Sequence, residues 1–493
     1  MKYGLDLTLN EIDSDADCAA VVDRFLPGLR EKLGQNPQAR GLSIRKLAQY
    51  TGGQIPQQAL DALDKALQEL GRSSGGYTAA EKEKILRYGQ ILAQDKARAK
   101  AVGRSLYAWE NVGRKPQTPA KHHQSAIEPG KPFLDTAGNR IQAHGGAIYH
   151  EDGVYYWYGE NKEHTDGGKS STIWTFGIRC YRSKDLMNFE DLGLLIPPVT
   201  DNPDSCLFPD KRVDRPHIFK NESTGKYVAW LKLSGNDACF AVLTADALTG
   251  PYELQKENYR PLGQEAGDFD IVTDKETGKH YLYMVAGHEG VATIGISEDG
   301  MSAEKLLAMS YTGLFPPFVR EGIAMAERDG KKYMFSSGMT GYIPNQSDCA
   351  AAGSWTEPFV PIGDPYPSDA SLSSFNSQFT QIYRLPGVKE QYIALSDRWV
   401  PDYPMDREKE ELFRRVIASH SAPDRYRCTE EERRIVMEAP SLESADTSVA
   451  DYVWLPVRFE GTTPVIEWTD RWVPDIEAAA DERNLRPAAD GGF

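Results

Sequence analysis

One carboxylate in this sequence stands directly before a pair of short apolar segments. Glu321 follows Arg320 and precedes Gly322, and the apolar run IAMA, a turn and a second segment centred on Tyr333 come next. A carboxylic acid at the mouth of a small β-sheet can act as a general acid, especially where burial raises its pKa. The simpler alternative is a surface glutamate that pairs with Arg320.

The pattern around Glu321 recurs along the chain. Each copy joins an apolar strand, a turn that usually contains glycine, and a strand centred on tyrosine. The copies are AIYHEDGVYYWYGE (147–160), HIFKNESTGKYVAWL (217–231), DIVTDKETGKHYLYMV (270–285), IAMAERDGKKYMFSSG (323–338) and TQIYRLPGVKEQYIALSDRW (380–399). A repeat of about 50 to 70 residues built on β-hairpins predicts a five-bladed β-propeller, with a β-sandwich as the alternative. A further hairpin pattern at 452–472 is expected to complete the fifth blade.

In a propeller the first strands of the blades converge on one axis, so polar residues that open them can share a pocket. These residues are Gln142 and His144, Asp214 and Arg215, Asp268 and Asp270, Arg320 and Glu321, and Ser377 and Gln378. Glycoside hydrolysis with inversion needs a protonated acid and a group that orients water, usually two carboxyls about 6.5–9.5 Å apart. A further carboxylate can keep the acid protonated by repulsion. Tyr342 and Trp399 lie beside these segments and are candidates for stacking on a sugar.

Composition limits the classes of partner. The formal net charge of −16 argues against nucleic acid, because a phosphate backbone needs a basic surface, and the aromatic content of 10% suits a neutral sugar. The six cysteines have no paired spacing, which indicates reduced thiols and no zinc site. The amino-terminal segment lacks a signal-peptide pattern and no apolar run could span a bilayer. We therefore expect no membrane partner and a cytoplasmic location, or an extracellular or periplasmic one if a leader was removed.

The remaining segments frame this domain. Residues 1–100 have helical periodicity, including a T-x-x-E capping pattern at Thr78, and are expected to form a bundle of short helices. That bundle has no catalytic constellation and is a candidate surface for packing or for a homo-oligomer. Residues 101–139 are expected to be a linker or arm, 140–475 the propeller, and 476–493 an acidic, alanine-rich tail.

Several motifs taken together resemble glycoside hydrolase family 43, and more narrowly its exo-β-1,3-galactanase subgroup. They are IQAHGGAIYHEDGVYYWYGEN (141–161), GIRCYRSKDLMNFEDLGLLI (177–196), RPHIF (215–219), GKYVAW (225–230), GDFDIVTD (267–274), VREGIAM (319–325), SSGMTGYIPN (336–345), SFNSQFTQIYRLPG (374–387), SDRW (396–399) and YVWLP (452–456). The resemblance implies a five-bladed propeller and an inverting glycosidase. It covers about two thirds of the chain and leaves the first hundred residues unassigned.

The resemblance also implies roles for single residues. Glu321 matches the general acid, and Asp268 matches the carboxylate that tunes its pKa and positions the substrate. Glu160 matches a glutamate that contacts substrate, and Gln378 matches a glutamine suggested to orient water. The usual aspartate base of the first blade is absent here, as it is in the galactanase subgroup, because the sequence at that place is Ala-His-Gly-Gly from 143 to 146.

The residues themselves leave alternatives open. Gln378 is a poor base and could bind a sugar hydroxyl instead, while Glu160 could relay the proton of water. His144 could contact substrate or could be a core histidine. Contacts to substrate are also expected from Gln142, Asp214, Arg215, Tyr342, Asp397 and Trp399.

The sequence thus predicts release of galactose from β-1,3-linked galactan or galacto-oligosaccharides. The alternatives are an arabinofuranosidase or β-xylosidase on the same fold, and a sugar-binding propeller without turnover. No cofactor is required on this interpretation, and a structural calcium or other ion near the propeller axis is a further expectation.

Overall fold

A computed structural model describes residues 3–33, 37–50, 55–73, 77–114, 121–165, 173–235, 238–387, 391–442 and 444–476. Backbone contacts divide the chain into two compact units. The first comprises Met1–Arg98, Val199–Phe208 and Gly235–Asp237, and the second comprises Ala99–Pro198, Pro209–Ser234 and Ala238–Phe493. The expected tail lies outside the described residues except for its first residue, and so does the part of the expected arm at 115–120.

The first unit is helical. Its helices are α1 (Leu9–Asp13), α2 (Ala16–Phe25), α3 (Leu29–Leu33), α4 (Pro37–Arg40), α5 (Ile44–Tyr50), α6 (Gln57–Ser73) and α7 (Ala79–Ala101). Apolar side chains at helical spacing, such as Ile12, Val22 and Leu63, are fully buried together in one core. The expected capping pattern at Thr78 is confirmed, because its hydroxyl accepts from the Glu81 amide while the Glu81 carboxylate accepts from the Thr78 amide.

The second unit contains a five-bladed β-propeller, as predicted. Each blade is a four-stranded antiparallel sheet whose strands follow chain order from the inner to the outer edge. The blades are β1 (His144–Glu151), β2 (Val154–Glu160), β3 (Ile178–Ser183), β4 (Glu190–Ile196); β5 (Val213–Lys220), β6 (Tyr227–Leu233), β7 (Cys239–Ala245), β8 (Glu253–Tyr259); β9 (Ala266–Thr273), β10 (His280–Ala286), β11 (Val291–Ile296), β12 (Ala303–Ser310); β13 (Arg320–Arg328), β14 (Lys331–Gly338), β15 (Asp348–Ala352), β16 (Val360–Gly363); and β17 (Gln378–Arg384), β18 (Tyr392–Arg398), β19 (Asp451–Glu460), β20 (Thr463–Ile466).

The repeated tyrosines explain why the blades are alike. Each lies in the second strand of its blade and is buried; they are Tyr155, Tyr227, Tyr281, Tyr333 and Tyr392. Side chains of neighbouring blades interleave, and where the last blade meets the first, Trp157 packs on Trp454 with ring centroids 4.4 Å apart. The inner strands β1, β5, β9, β13 and β17 contact one another in a closed ring. Closure brings the first residues of all five strands to one end of the axis.

Three further helices belong to the second unit. The short α8 (Ala108–Asn111) lies in the segment expected to be an arm, and α9 (Arg407–Ser421) and α10 (Glu430–Met437) lie between β18 and β19 of the fifth blade. The sequence analysis missed α9 and α10. Their signals were present: Asp406 caps α9, and Thr429 with Glu432 forms a capping box at the start of α10.

Membrane insertion receives no support from the helices. Within the described ranges, none of them is both long enough and apolar enough to cross a bilayer.

Candidate active site

The candidate site lies where the five inner strands begin. Every inner strand has an irregular register close to its start, where it pairs with the second strand of its blade. Such bulges turn side chains out of the regular alternation. The polar residues that open these strands can therefore face the axis. In a regular strand, by contrast, every second side chain would point away from it.

Glu321 sits at such a bulge in β13. Its pairing with Ser337 is regular, and the register then shifts before Ala324. The Glu321 carboxyl is half-buried and accepts a hydrogen bond from the Gln378 side-chain amide at 3.2 Å. Burial and the nearby charge of Asp268 raise the pKa of Glu321 to about 8. At neutral pH this side chain is a carboxylic acid with a proton to give.

The pKa of Asp268, at the start of β9, is shifted in the opposite direction. Burial of this side chain, which is 8% exposed, would raise its pKa, but the positive charges of Arg215 and Lys232 lower it by more. The Arg215 Nε lies 3.1 Å from one carboxylate oxygen, the ammonium of Lys232 pairs with the other, and the Gly322 amide donates at 2.8 Å. The pKa of Asp268 is therefore well below its usual range. One ionised and one protonated carboxyl thus stand side by side.

Arg215 connects the site across blades. Its guanidinium donates to the side-chain oxygen of Gln378 at 2.6 Å and to the Phe379 carbonyl at 2.7 Å. Its backbone amide donates to Glu160 at 2.9 Å. Together with its ion pair to Asp268, these contacts join the inner strands of three blades and the end of β2. Arg215 is 7% exposed, and its guanidinium is occupied by Asp268, Gln378 and the Phe379 carbonyl.

Gln378 opens β17 and uses both ends of its amide. Its nitrogen donates to Glu321 and, at 2.9 Å, to the Ser337 hydroxyl, while its oxygen accepts from Arg215 and, at 3.2 Å, from the Trp399 indole. An amide oxygen that accepts from a guanidinium is an even weaker base than an ordinary one. These contacts suit an amide that fixes the position of neighbouring groups and does not accept a proton.

A second acidic cluster surrounds a buried lysine. Lys162 is 1% exposed and lies 2.7 Å from Glu160 and 3.8 Å from Asp214. Asp214 in turn accepts hydrogen bonds from Trp174 and Ser234. Burial raises the pKa of Glu160 to about 7, against the attraction of Lys162 and with the repulsion of Asp214. Glu160 therefore changes charge close to neutral pH.

A pocket opens beside Gln378. It is lined by the aromatic side chains of Tyr342 and Trp399, whose ring centroids lie 5.0 Å apart, and by Ser337, Asn345 and Asp397. The two aromatics proposed for stacking are thus neighbours, each less than 10% exposed. Asp397 reaches the pocket wall, but its carboxylate already accepts from the Gly145 amide at 2.6 Å.

His144 and Gln142 lie behind this pocket. His144 is fully buried, with Nδ1 3.2 Å from Asp397 and Nε2 3.3 Å from the Tyr452 hydroxyl. The Gln142 amide donates to the Ser448 carbonyl at 2.9 Å. Of the two interpretations of His144, these contacts correspond to the core histidine.

Sequence reasoning missed Lys232 and Lys162. Lys232 interrupts the apolar stretch VAWLKL of β6, and an isolated lysine on a buried strand face needs an acidic partner, so it was a usable signal. Lys162 follows β2 in the polar segment GENKEH, which gives no such signal.

No metal-binding cluster is found where the structure describes the chain, since groups of three or more His, Cys, Asp or Glu with suitable spacing are absent there. The cysteines described as free are buried, except Cys428, which is partly exposed.

Gly322 makes the bulge beside Glu321 feasible. Its φ is +62°, and a Cβ at this position would lie 2.9 Å from Gln378 and 3.1 Å from Ser337. We expect Gly322→Ala to lower the free energy of unfolding by at least about 1–2 kcal/mol, the cost of a left-handed conformation for an L-residue, and to displace Gln378.

The matched control is Gly330→Ala in the turn of the same hairpin. Its φ is +76°, but a Cβ there would meet nothing within 4 Å. Chemical denaturation should show a loss of stability in both variants, and activity should fall in Gly322→Ala alone. Equal activity in the two variants would contradict the role given to Gly322.

A protonated and an ionised carboxyl lie together here, and Gln378 connects Glu321 to the neighbouring pocket, which is an arrangement suited to glycosidic bond cleavage. Residues 145–368 match the model of "Glycosyl hydrolases family 43". Most of the propeller, from β1 to β16, therefore resembles this family, and the protein is a glycosidase. A comparison with curated proteins finds no match.

Several solved structures with the same fold are described as β-1,3-galactosidases or exo-β-1,3-galactanases. A family 43 β-1,3-galactosidase is 23% identical over 75% of this chain and 67% of its own, with a TM-score of 0.56. An exo-β-1,3-galactanase from Phanerochaete chrysosporium, determined with galactose, is 22% identical over 72% of this chain and 70% of its own, with a TM-score of 0.56. An exo-β-1,3-galactanase from Clostridium thermocellum is 24% identical over 71% and 66%, with a TM-score of 0.53. At identities of 22–24%, these similarities establish only a shared fold.

Proposed function

We propose that this glycosidase is exo-acting and inverting, and that it releases galactose from β-1,3-linked galactan or galacto-oligosaccharides. The single observation that carries the proposal is the pairing of Glu321, whose pKa is about 8, with the ionised Asp268, next to Gln378 of the pocket wall. The choice of galactose rests on the similar structures, which are described as β-1,3-galactosidases and exo-β-1,3-galactanases.

Glu321 acts as the general acid in this proposal. It donates its proton to the glycosidic oxygen as the bond to the anomeric carbon breaks, which removes the need to expel an alkoxide. Asp268 maintains that proton in the free enzyme by repulsion. Its own charge is held in place by Arg215 and Lys232.

Water attacks the anomeric carbon from the opposite face. Gln378 orients this water by exchanging its hydrogen bond to Glu321 for one to the water. Its neutral amide is held by Arg215, Trp399 and Ser337 and has little affinity for a proton. We propose that Glu160 accepts the water proton, because its pKa is about 7 and Arg215 contacts both it and Gln378.

The test is hydrolysis of β-1,3-galactobiose, followed by NMR of the first product. Inversion gives α-galactose before mutarotation. Activity confined to aryl α-L-arabinofuranosides or β-D-xylosides would support those rival specificities instead. Because the usual aspartate base of the first blade is missing, a sugar-binding propeller without catalytic activity is a further alternative. Such a protein would bind galactobiose and release no galactose.

The pH dependence follows from the two pKa values. The active form has Glu321 protonated and Glu160 ionised, so kcat/KM is expected to fall above about pH 8 and below about pH 7. Because the pKa of Glu321 is raised by folding, its neutral form also stabilises the fold at low pH, and that contribution is lost as the pH rises through 8. Profiles of wild type and Glu160→Gln check both limbs. The acidic limb should disappear in Glu160→Gln and the alkaline limb should remain, while an unchanged acidic limb would exclude Glu160 as the proton acceptor.

A further inference from the structure

One connection in the propeller is far longer than its counterparts. The second and third strands of the fifth blade are separated by 52 residues (399–450), whereas the same connection in the other blades spans 17, 5, 4 and 9 residues (161–177, 234–238, 287–290 and 339–347). Successive strands run in opposite directions, so these connections emerge at the end of the axis where the inner strands begin. The insertion therefore lies on the face of the candidate active site.

The described part of this insertion, residues 399–442 and 444–450, is here called the cap. Its apolar core includes Met405, Phe413 and Ala450, and the same core includes Tyr342 and Trp399 of the pocket wall. Trp399 is itself the first residue of the cap, so the cap supplies one aromatic residue of the pocket wall and shares a core with the other, Tyr342.

The cap is held on both sides of the pocket. On the side of the fourth blade, the Tyr426 ring lies 6.1 Å from the ring of Phe315 and 5.9 Å from that of Phe318, measured between centroids. On the side of the first blade, the Thr447 hydroxyl lies 3.2 Å from that of Thr165, and Ser448 accepts from Gln142. The cap therefore bridges the first blade and the connection between the third and fourth blades.

The position of the acid indicates which part of a substrate meets the cap. Glu321 pairs with Ser337 across the hairpin, and the loop 339–347 with Tyr342 follows directly. A glycosidic oxygen that receives the proton of Glu321 places the leaving sugar near this loop. Leu442 of the cap backs the same loop, 3.6 Å from the place where a Cβ on Gly341 would lie.

We propose that the cap limits the length of the leaving group, so that the enzyme prefers short β-1,3-linked galacto-oligosaccharides to long galactan chains. This inference rests on the proposed function. The apolar core of the cap and its anchors at Tyr426, Thr447 and Ser448 hold it against the loop 339–347, where a long leaving group would meet it.

The first test is a length series with wild-type enzyme. The values of kcat/KM, expressed per non-reducing end, are measured for the disaccharide, the trisaccharide, the hexasaccharide and linear β-1,3-galactan. We expect a fall of at least about tenfold from the disaccharide to the polymer, a discrimination that pocket contacts can supply. Values that stay within about twofold, or that rise with length, would overturn the cap proposal. Absence of hydrolysis with every substrate would instead overturn the proposed function.

The second test attributes the length preference to the cap. Tyr426→Ala removes an anchor and Phe413→Ala loosens the core, and each should raise the polymer-to-disaccharide ratio of kcat/KM at least about threefold. Met437→Ala is the matched control, because this cap residue is 74% exposed. If Phe413→Ala does not fold, Tyr426→Ala decides. An unchanged ratio in the folded variants, with a length preference in wild type, would show that the cap is not its cause.

Discussion

Glu321→Gln is expected to lower kcat/KM for β-1,3-galactobiose at least about 100-fold, the usual contribution of a positioned general acid. The glutamine keeps the size of the side chain and its hydrogen-bonding capacity toward Gln378, but it has no proton to give to the glycosidic oxygen. The alkaline limb near pH 8 should vanish with the carboxyl that produces it. Initial rates of galactose release across pH measure both effects.

Two controls separate this loss from a structural one. Glu327→Gln changes the same residue type at the other end of the same strand, where Glu327 pairs with Lys332, and should retain activity. An aryl β-galactoside with a strongly acidic phenol as leaving group needs little protonation, so Glu321→Gln should lose much less activity on it. A similar loss on both substrates would contradict the general-acid role.

Asp268→Asn is expected to reduce activity at pH 7 about 100-fold, mostly by changing the protonation of its neighbour. The substitution removes the repulsion that keeps Glu321 protonated and leaves Arg215 and Lys232 without their partner. The pKa of Glu321 should therefore fall, and the alkaline limb of kcat/KM should move about 1 pH unit or more toward acid. Asparagine can still accept from the Gly322 amide, so the bulge is preserved.

The pH profile distinguishes this explanation from general damage. Lost activity should return in part when the assay pH is lowered, which a disordered site would not show. Asp274→Asn, just beyond the other end of β9, is the control and should leave the profile in place. An alkaline limb still near pH 8 in Asp268→Asn would show that another group sets the pKa of Glu321.

The propeller could be predicted from the sequence because its information is local. Each hairpin carries its own alternation of apolar residues, its turn and its buried tyrosine, and five similar copies leave few ways to pack. The helices of the cap were not predicted, because they lie in an insertion whose apolar residues follow the helical period and do not belong to the strand repeat. Two signals could have identified these helices from the sequence: the helical spacing of Phe413 and Val416, and the capping box at Thr429.

The sequence by itself determined the blades and the set of polar residues that open their inner strands. Only the tertiary structure decided which of these carboxyls is protonated and which is ionised. Glu321 and Asp268 are ordinary carboxyls in the chain, and their pKa values separate only when closure of the ring brings them together, removes them largely from solvent and sets Arg215 and Lys232 beside Asp268. A pKa depends on charges and solvent within a few ångströms, and in this fold those neighbours come from strands that are distant in sequence.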